Sequence, residues 1–461
     1  MHHDNNDDYG TYDDLDNNSP SEDDDEGDAE FQRRLMELSE EIYREEEEGR
    51  LRAALGVISA SYAEGRRLQA EQRNPSRLYL THPQLLPNPR VATPWQILYN
   101  SRNDRAFITT MGVDVDTFVY IIESGFASTW YSTPIPRTDT DAAGDSRPGA
   151  RSLDANGALG LVLHYLSSTM HEISLQQIFA IIPSTVSRYI TFSLNILHVV
   201  LRKIPECQIR WPCTQEEFVA YNALIIVRHP RLTGAFASID GLNLPVQTSA
   251  DAEIENATYN GWLSDHCVSN ILVFAPDGKV IAVRLNAPGS WHDSRVARPI
   301  YDKLLTRTPD GFYLVADTAF PRGNVQIDSR ICAPIKTGQR INGTQAEIEE
   351  KLAFDRELLS YRQTAEWGMR TVQGSFGRLR VPLDINNTKA RANLIEVCLR
   401  LHNLRAERVG HNQIRSVYMP VWMEAMEDAR LWSDFGDVMF SEQRRNDRVA
   451  RFHNFPVYED V

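Results

Sequence analysis

The sequence lacks both the spaced cysteine pairs of zinc sites and the long apolar runs of membrane spans. Its five cysteines (207, 213, 267, 332 and 398) include no C-x-x-C pair, so zinc is not expected and free thiols indicate a reducing compartment. No uninterrupted apolar run approaches about 18 residues. A secretory signal peptide begins with basic charge, whereas this chain begins with acidic charge. We therefore expect a cytosolic or nuclear protein without membrane contact.

Basic residues are absent from the first 30 positions, which contain thirteen Asp and Glu. The rest of the chain is nearly balanced, with 50 acidic and 48 basic residues, so most of the net charge of −15 lies in this segment. The segment also has almost no aliphatic residues that could form a core. Composition therefore predicts a disordered acidic tail over 1–30.

The pattern along the remaining chain predicts four further segments. Strong helix formers fill 31–72 and prolines punctuate 75–94, which predicts a helical extension followed by an extended connector. Downstream, short apolar runs such as "AFASI" and "GFYLVAD" alternate with helical periodicity, and "CVSNILVFAPDGKVIAVRLNA" reads as a hairpin. This alternation indicates an α/β domain with a mixed sheet flanked by helices. The predicted boundaries are 31–104 for the extension and connector, 105–230 for a helical region, 231–410 for the α/β domain and 411–461 for a C-terminal tail.

Within the helical region, "SLQQIFAIIPSTVSRYITFSLNIL" reads as a short helix, a tight turn and a longer helix. The second helix opens with small hydroxyl residues and an arginine, which is typical of a helix-turn-helix. The candidate DNA contacts are Ser184, Thr185, Ser187 and Arg188. A plain helical bundle has the same spacing, so the pattern leaves both interpretations open.

Two acidic residues end apolar strands: Asp240 follows "AFASI" and Asp317 follows "GFYLVA". Functional side chains collect at strand ends in α/β sheets because the strands provide a rigid base. Asp277 and Asp310 also precede glycines, but their positions predict ordinary turns. Asp240 precedes a glycine too, so its local sequence leaves a turn and a site equally open.

A third acidic residue, Glu366, lies on a predicted helix beside its apolar face. Arg362 and Arg370 stand four residues away on either side. One interpretation is an exposed Arg–Glu–Arg stripe. The other is a carboxylate at the edge of the core that is directed at the strand ends. Spacing does not choose between them.

An ordered set of motifs carries a family resemblance. "SIDG", "PGSWHDS", "LVADTAFP", "AEWGMRTVQGSFGRLR" and "LHNL" resemble the catalytic domain of PIF/Harbinger-type transposases and their domesticated nuclease relatives. The resemblance extends over residues 105–410 and implies a ribonuclease-H-like fold preceded by a helix-turn-helix-like region. It also implies that Asp240, Asp317 and Glu366 bind two divalent cations, Mg²⁺ or Mn²⁺, while Gly241 allows a tight exit from the strand.

Other residues are placed near that implied site. His292 and Asp293 of "GSWHDS" are expected beside the metal ligands rather than among them, with Ser290 or Asp293 capping the next helix. Residues 370–415 contain nine Lys/Arg and three Asp/Glu, which predicts a phosphate-binding surface. Its candidate contacts are Arg370, Arg378 and Arg380.

The sequence thus predicts a nuclear, metal-dependent DNA endonuclease of transposase ancestry. In a transposase, the freed 3′-hydroxyl would go on to attack target DNA. Because members of that family often act with a separate Myb-like DNA-binding protein, the resemblance also implies such a partner. A homo-oligomer stays open. One alternative is a domesticated protein that binds DNA or a partner without strand transfer, and another is a helical scaffold without nuclease activity.

Overall fold

The computed structural model describes residues 22–73, 85, 88–136, 144–320, 325–336, 338–410 and 412–419. The chain divides into two compact units, Met1–Leu78 and Tyr79–Val461. Most of the acidic tail, most of the proline-rich connector and most of the C-terminal tail lie outside the described residues. No described helix is both long enough and apolar enough to cross a membrane.

The first unit contains one long helix in its described residues, α1 (Glu22–Arg73). It covers the predicted helix and begins inside the segment assigned to the acidic tail. Carboxylates near a helix N-terminus interact favourably with the helix dipole, so an acidic start is compatible with helix formation. The prediction of disorder is therefore corrected for residues 22–30, and residues 1–21 lie outside the described part of the chain.

The second unit contains the remaining described helices. Two of them begin with a Thr-x-x-Glu capping box, at Thr214 and at Thr344, in which side chains satisfy the first free backbone N–H groups. The bounds are α2 (Pro94–Ser101), α3 (Asp104–Met111), α4 (Val115–Ile121), α5 (Ala127–Ser132), α6 (Ala155–Ser167), α7 (Glu172–Phe179), α8 (Pro183–Leu201), α9 (Gln215–Ile226), α10 (Ala252–Thr258), α11 (Asp293–Val296), α12 (Arg298–Arg307), α13 (Val325–Asp328), α14 (Gln345–Ser375), α15 (Thr388–Arg408) and α16 (Gln413–Tyr418).

The described strands form one mixed sheet. Strand β3 pairs antiparallel with both β1 and β4, whereas β5 pairs parallel with β1 and with β6. A short strand, β2, adds to the start of β3. The bounds are β1 (Ala235–Pro245), β2 (Tyr259–Asn260), β3 (Asp265–Phe274), β4 (Val280–Pro288), β5 (Tyr313–Ala316) and β6 (Ile331–Cys332).

Helices cover both faces of this sheet. Side chains on a strand alternate between its faces, so strands such as β1 and β3 contribute apolar side chains to two cores. Leu242 and Leu272 belong to a core shared with α14, α15 and the upstream helices. Ile239 and Ile271 belong to a second core, which includes side chains of α9 and α12. The predicted α/β class is confirmed as a mixed sheet flanked by helices, an arrangement consistent with a ribonuclease-H-like fold.

The upstream helical region and the sheet belong to the same compact unit, and Glu396 of α15 links the two. Its carboxylate accepts two hydrogen bonds, at 2.8 and 2.9 Å, from Arg202 at the C-terminal end of α8, and others from His198 and Arg400. Burial disfavours the charge on Glu396, but these hydrogen bonds outweigh it and lower its pKa to about 2.

Glu396→Gln is expected to lower the free energy of unfolding by about 2 kcal/mol at pH 7, because charged hydrogen bonds between α8 and α15 are lost. The folded-state pKa lies below the ordinary value of 4.5. The stabilisation is therefore complete above that value and is lost as the pH falls towards 2. Urea unfolding between pH 7 and pH 3 measures it. A difference from the unsubstituted protein that does not shrink below pH 4.5 would contradict this origin.

The "LHNL" motif lies on α15 and holds the β3–β4 hairpin. Asn403 accepts a hydrogen bond from Val280 N and donates one to Val280 O, each within 2.9 Å. His402 lies 3.0 Å from the Gly278 carbonyl oxygen in the hairpin turn, and burial lowers the pKa of this histidine to about 4. The motif therefore has a structural role, in which two buried side chains satisfy the backbone at the end of the sheet.

Part of the segment assigned to the C-terminal tail is packed against the core. Ile414 and Tyr418 of α16 are buried, and the Tyr418 hydroxyl lies 2.9 Å from His229 Nε2. Asn412 also contacts the hairpin turn through Gly278 O. The tail prediction is corrected for residues 412–419, and 420–461 lie outside the described residues.

Candidate active site

Asp240 lies in the middle of β1 rather than at a strand end. The strand continues to Pro245, and Asp240 itself pairs with Leu272 of β3. The prediction that the strand ends at Asp240 is therefore wrong, because "LNLP" continues the same ladder. Asp240 lies two residues from Leu242, so both side chains point to the sheet face that α14 covers.

Asp317 follows β5 directly, as predicted. In the parallel pairing of β1 and β5, Ile239 stands opposite Ala316. The next residue on each strand is the aspartate, so the register brings Asp240 and Asp317 side by side. The Thr318 amide donates a hydrogen bond of 2.5 Å to Asp317 Oδ1, and the Gly241 amide donates one of 2.8 Å to Asp240 Oδ1.

Helix α14 brings Glu366 to the same face of the sheet. The hydroxyl groups of Thr364 and Ser238 form a buried hydrogen bond of 2.7 Å, which fixes α14 against β1 two residues before Asp240. Gly368 allows the close approach, because a Cβ there would lie 2.5 Å from the Phe274 ring of β3. Glu366 lies between these two contacts and is half-buried, which favours the interpretation of a carboxylate at the edge of the core.

Arg362 lies among the three carboxylates. Its Nη1 is 3.4 Å from Asp317 Oδ2, and its Nη2 is 3.1 Å from Glu366 Oε1. Arg370, by contrast, is more exposed and lies 3.8 Å from Glu366. The sequence shows both arginines four residues from Glu366, but only the fold shows that Arg362 also reaches Asp317.

The pKa of Asp240 reports the proximity of these groups. Burial raises it to about 6, the Gly241 amide and Arg362 act in the opposite direction, and the negative charges of Asp317 and Glu366 add to the rise. The three acids thus share one electrostatic environment. Perturbed carboxyl groups of this kind are typical of functional sites, although structural ion pairs also produce them.

Asp293 joins this environment through Gly241. A Cβ at Gly241 would lie 2.9 Å from Asp293 Oδ2, so the glycine makes room for the carboxylate within the strand. The implied role of Gly241 as an exit from the strand is wrong. Burial raises the pKa of Asp293, His292 opposes this effect, and the charge of Asp317 adds to it.

The capping prediction for the following helix is corrected. The N-cap of α11 is His292, whose Nδ1 accepts from the Ser294 amide at 3.3 Å, and Asp293 is the first helical residue. The imidazole therefore caps the helix, which leaves the Asp293 carboxylate free to lie against Gly241. The charge of Asp317 acts on Asp293, and His292 adjoins Asp293.

The donor chemistry of this cluster suits hard divalent cations, which take carboxylate oxygens. Among the described residues, however, no group of three His, Cys, Asp or Glu side chains is close enough to hold a metal ion. Two of the acids instead pair with Arg362, whose guanidinium contacts oxygens of Asp317 and Glu366. The donor atoms of Asp240, Asp317 and Glu366 therefore fit a hard cation chemically, although their present spacing does not form a metal site.

The predicted helix-turn-helix segment forms α7 and α8, joined by three residues. Ala180 in this connection has a left-handed backbone conformation with φ of 51°. At the start of α8, Ser184 and Ser187 are exposed, while Thr185 and Arg188 are half-buried. The inner face of the same turn is buried through Val186, Tyr189 and Ile190. The geometry leaves the candidate DNA contacts on the outer face of the helix.

The basic segment 370–415 presents less positive surface than its composition indicates. Arg391 and Arg405 are buried, and Arg400 pairs with Glu396. Arg378 is half-buried over the Tyr165 ring, 4.4 Å from its centre. The exposed basic side chains of this segment are Arg370, Arg380, Lys389 and Arg408, so the phosphate-binding surface stays a prediction that rests on fewer residues than the composition indicates.

The strand register, the carboxylate pair and the helix that carries Glu366 all lie in one segment that matches a known family. Residues 239–403 match the family model of the DDE superfamily endonucleases. The matched segment covers less than half of the chain and includes Asp240, Asp317, Glu366 and the "LHN" of α15. It begins after α8, so it does not extend to Ser184–Arg188. Neither a curated protein nor a solved structure gave a significant match.

Proposed function

We propose that the protein is a metal-dependent DNA endonuclease in which Asp240, Asp317 and Glu366 hold the catalytic cations. One observation carries the proposal: the β1–β5 register sets Asp240 beside Asp317 under the helix that carries Glu366, inside the segment that matches the DDE superfamily endonucleases. An aspartate with only a turn-forming role would have no reason to lie beside Asp317 and Glu366. Asp293, whose carboxylate lies against Gly241, would help to position the neighbouring Asp240.

Each acid has a distinct position from which to act. Asp240 is held within β1 by its pairing with Leu272 of β3, one residue after the last β1–β5 pair, which suits it to bridge two ions. Asp317 lies at the more open edge, where 42% of its side chain is exposed. A pair of bound divalent cations would supply stabilisation of the charge that develops on the attacking and leaving oxygens of a phosphodiester.

Plasmid nicking by the full chain tests this proposal. Supercoiled DNA should be converted to the open circular form in Mg²⁺ or Mn²⁺ and should remain intact in EDTA. Ca²⁺ is the control ion. It is larger than Mg²⁺ and is coordinated more loosely, so it can hold substrate without imposing the octahedral geometry of Mg²⁺. Equal nicking in EDTA and in Mg²⁺ would reject a metal-dependent nuclease and favour the scaffold alternative.

We further propose that the start of α8 contacts DNA. The exposed Ser184 and Ser187, with Thr185 and Arg188, present hydroxyl groups and a cation on the outer face of a helix whose inner face is fixed in the core. The exposed Arg370, which lies beside Glu366, and the exposed Arg380 would add phosphate contacts, and Arg378 would support them through its packing on Tyr165. Small polar side chains at a helix start are suited to approach the DNA backbone closely.

Arg188→Ala should weaken DNA binding and reduce the slope of log affinity against log salt by about one if Arg188 contacts a phosphate. Fluorescence anisotropy titrations at several salt concentrations measure the slope. Arg105→Ala on α3 is the control, because it removes the same charge from an exposed helix position outside α7 and α8. Equal slopes for both variants and the unsubstituted protein would return α7 and α8 to the interpretation of a plain bundle.

The finer identity of the protein follows from the motifs. We propose a PIF/Harbinger-type enzyme that acts in the nucleus with a Myb-like DNA-binding partner, either as a transposase that completes strand transfer or as a domesticated nuclease. The ordered motif set supports this type. Joining of a labelled 3′-hydroxyl end to a second plasmid distinguishes the two, since a nuclease without strand transfer would leave the end unjoined. Sedimentation of the full chain with DNA would show whether it forms a homo-oligomer.

A further inference from the structure

Arg362 occupies an unusual position for a helix-surface arginine. Its two terminal nitrogens lie within 3.4 Å of Asp317 and Glu366, which belong to different elements, and its charge also lowers the pKa of Asp240. Its side chain is 22% exposed, and its Nε is buried without a hydrogen-bond partner. The contacts of Nη1 and Nη2 with the carboxylates thus hold the guanidinium in place, while the Nε donor has no partner.

The guanidinium and a divalent cation would compete for these oxygens. Mg²⁺ coordinates carboxylate oxygens at about 2.0–2.1 Å. A cation shared by Asp317 and Glu366 would therefore lie in close contact with both terminal nitrogens of Arg362 and would be repelled by their charge. Either Arg362 moves away or the cation does not bind.

Without a cation, Arg362 offsets the electrostatic repulsion between the carboxylates. Three carboxylates that lie together repel one another, and Arg362 lies within 3.4 Å of two of them. A flexible cation on the same helix as Glu366 is well suited to neutralise them. The buried Nε of Arg362 has no hydrogen-bond partner, which makes this conformation less favourable. Another rotamer is therefore accessible to the side chain once a cation replaces it.

We infer that Arg362 takes the cation position in the metal-free protein and is displaced when a divalent cation binds. This inference rests on the proposed metal site, and it assigns to Arg362 a regulatory role: it sets the cation concentration at which the site becomes occupied. Arg362 thus competes with the metal ion for the carboxylates and is not itself a ligand.

Calorimetric titration of the full chain with Mn²⁺ alone, in the absence of DNA, tests this inference. Arg362→Gln should bind Mn²⁺ roughly tenfold or more tightly than the unsubstituted protein, because a unit charge close to a dication is removed. The variant should also melt at a lower temperature in EDTA and gain more from added Mn²⁺. Arg370→Gln is the control, with an affinity within about threefold, because Arg370 is 52% exposed and reaches only Glu366.

A second variant covers the case in which Arg362→Gln does not fold. Arg362→Lys keeps the charge but cannot bridge two carboxylates with a fork, so its Mn²⁺ affinity should exceed that of the unsubstituted protein by a smaller factor. Weaker or unchanged Mn²⁺ binding in folded Arg362 variants would overturn the inference and would mean that Arg362 orients the ligands. Asp317→Asn separates the two proposals: if its titration matches that of the unsubstituted protein, the metal site itself is rejected.

Discussion

Asp240→Asn is expected to reduce metal-dependent nicking by at least about a hundredfold without lowering the free energy of unfolding. Two-metal chemistry draws several kcal/mol of transition-state stabilisation from its ions, and a neutral amide at the bridging position removes most of it. The fold should tolerate the change, because burial disfavours the charge that Asn removes. Loss of activity with retained or increased stability is the pattern expected of a residue kept for chemistry rather than for packing.

Asp277→Asn is the matched control for this prediction. Asp277 accepts a hydrogen bond of 3.0 Å from the Lys279 amide in the β3–β4 turn, so the same substitution removes a turn carboxylate outside the acid cluster. Nicking should stay within about threefold of that of the unsubstituted protein. Plasmid nicking rates in Mg²⁺ and urea unfolding of both variants provide the measurements. Equal loss of nicking in the two variants would contradict the assignment of Asp240 to the site.

Gly368→Val is expected to lower the free energy of unfolding by about 3 kcal/mol and to reduce nicking as well. Even the Cβ would lie 2.5 Å from Cδ1 of Phe274, a fully buried side chain that cannot move aside cheaply. Helix α14 must therefore shift away from β3 and carry Glu366 with it, and displacement by about 1 Å is enough to cost roughly a hundredfold in rate. Urea unfolding and plasmid nicking measure the two effects.

Gly374→Val on the same helix is the control. Gly374 is exposed, and the nearest atom to its added Cβ is Arg380 Nη2 at 3.5 Å. Glycine and valine differ little in helix propensity, so stability should change by less than about 0.5 kcal/mol. A similar loss of stability in both variants would show that helix propensity, rather than the approach of α14 to β3, explains the effect of Gly368→Val.

Local sequence predicted the elements of the site better than their boundaries. The buried strand before Asp317, the hairpin at Asp277 and the long helix around Glu366 all follow from short-range patterns, and each is present. The end of the strand at Asp240 was predicted wrongly, because an Asp-Gly pair is a turn signal unless the next residues pair with a neighbouring strand. The alternating apolar residues of "LNLP" indicate a continued strand edge, but the pairing with β3 is a long-range interaction that local sequence does not specify.

Charge counts were the weakest guide, because they ignore where side chains point. The nine basic residues of 370–415 predicted one phosphate-binding surface, yet Arg391 and Arg405 are buried and Arg400 is paired with Glu396. The acidic composition of residues 22–30 predicted disorder, yet these residues form the start of α1. In both segments composition gives the number of charged residues, whereas packing and helix formation decide which of them are exposed and whether the segment is ordered.

The sequence by itself determined the α/β class, the identity of the three candidate acids and the order of the motifs around them. The α/β class depends on side-chain periodicity, whereas the three acids were selected by the motifs that carry the family resemblance. Tertiary structure alone decided that Asp240 lies beside Asp317, that Gly241 makes room for Asp293 and that Arg362 reaches two of the acids. Strand register and helix docking bring together residues far apart in the sequence, so the spacing within any single element could not predict these contacts.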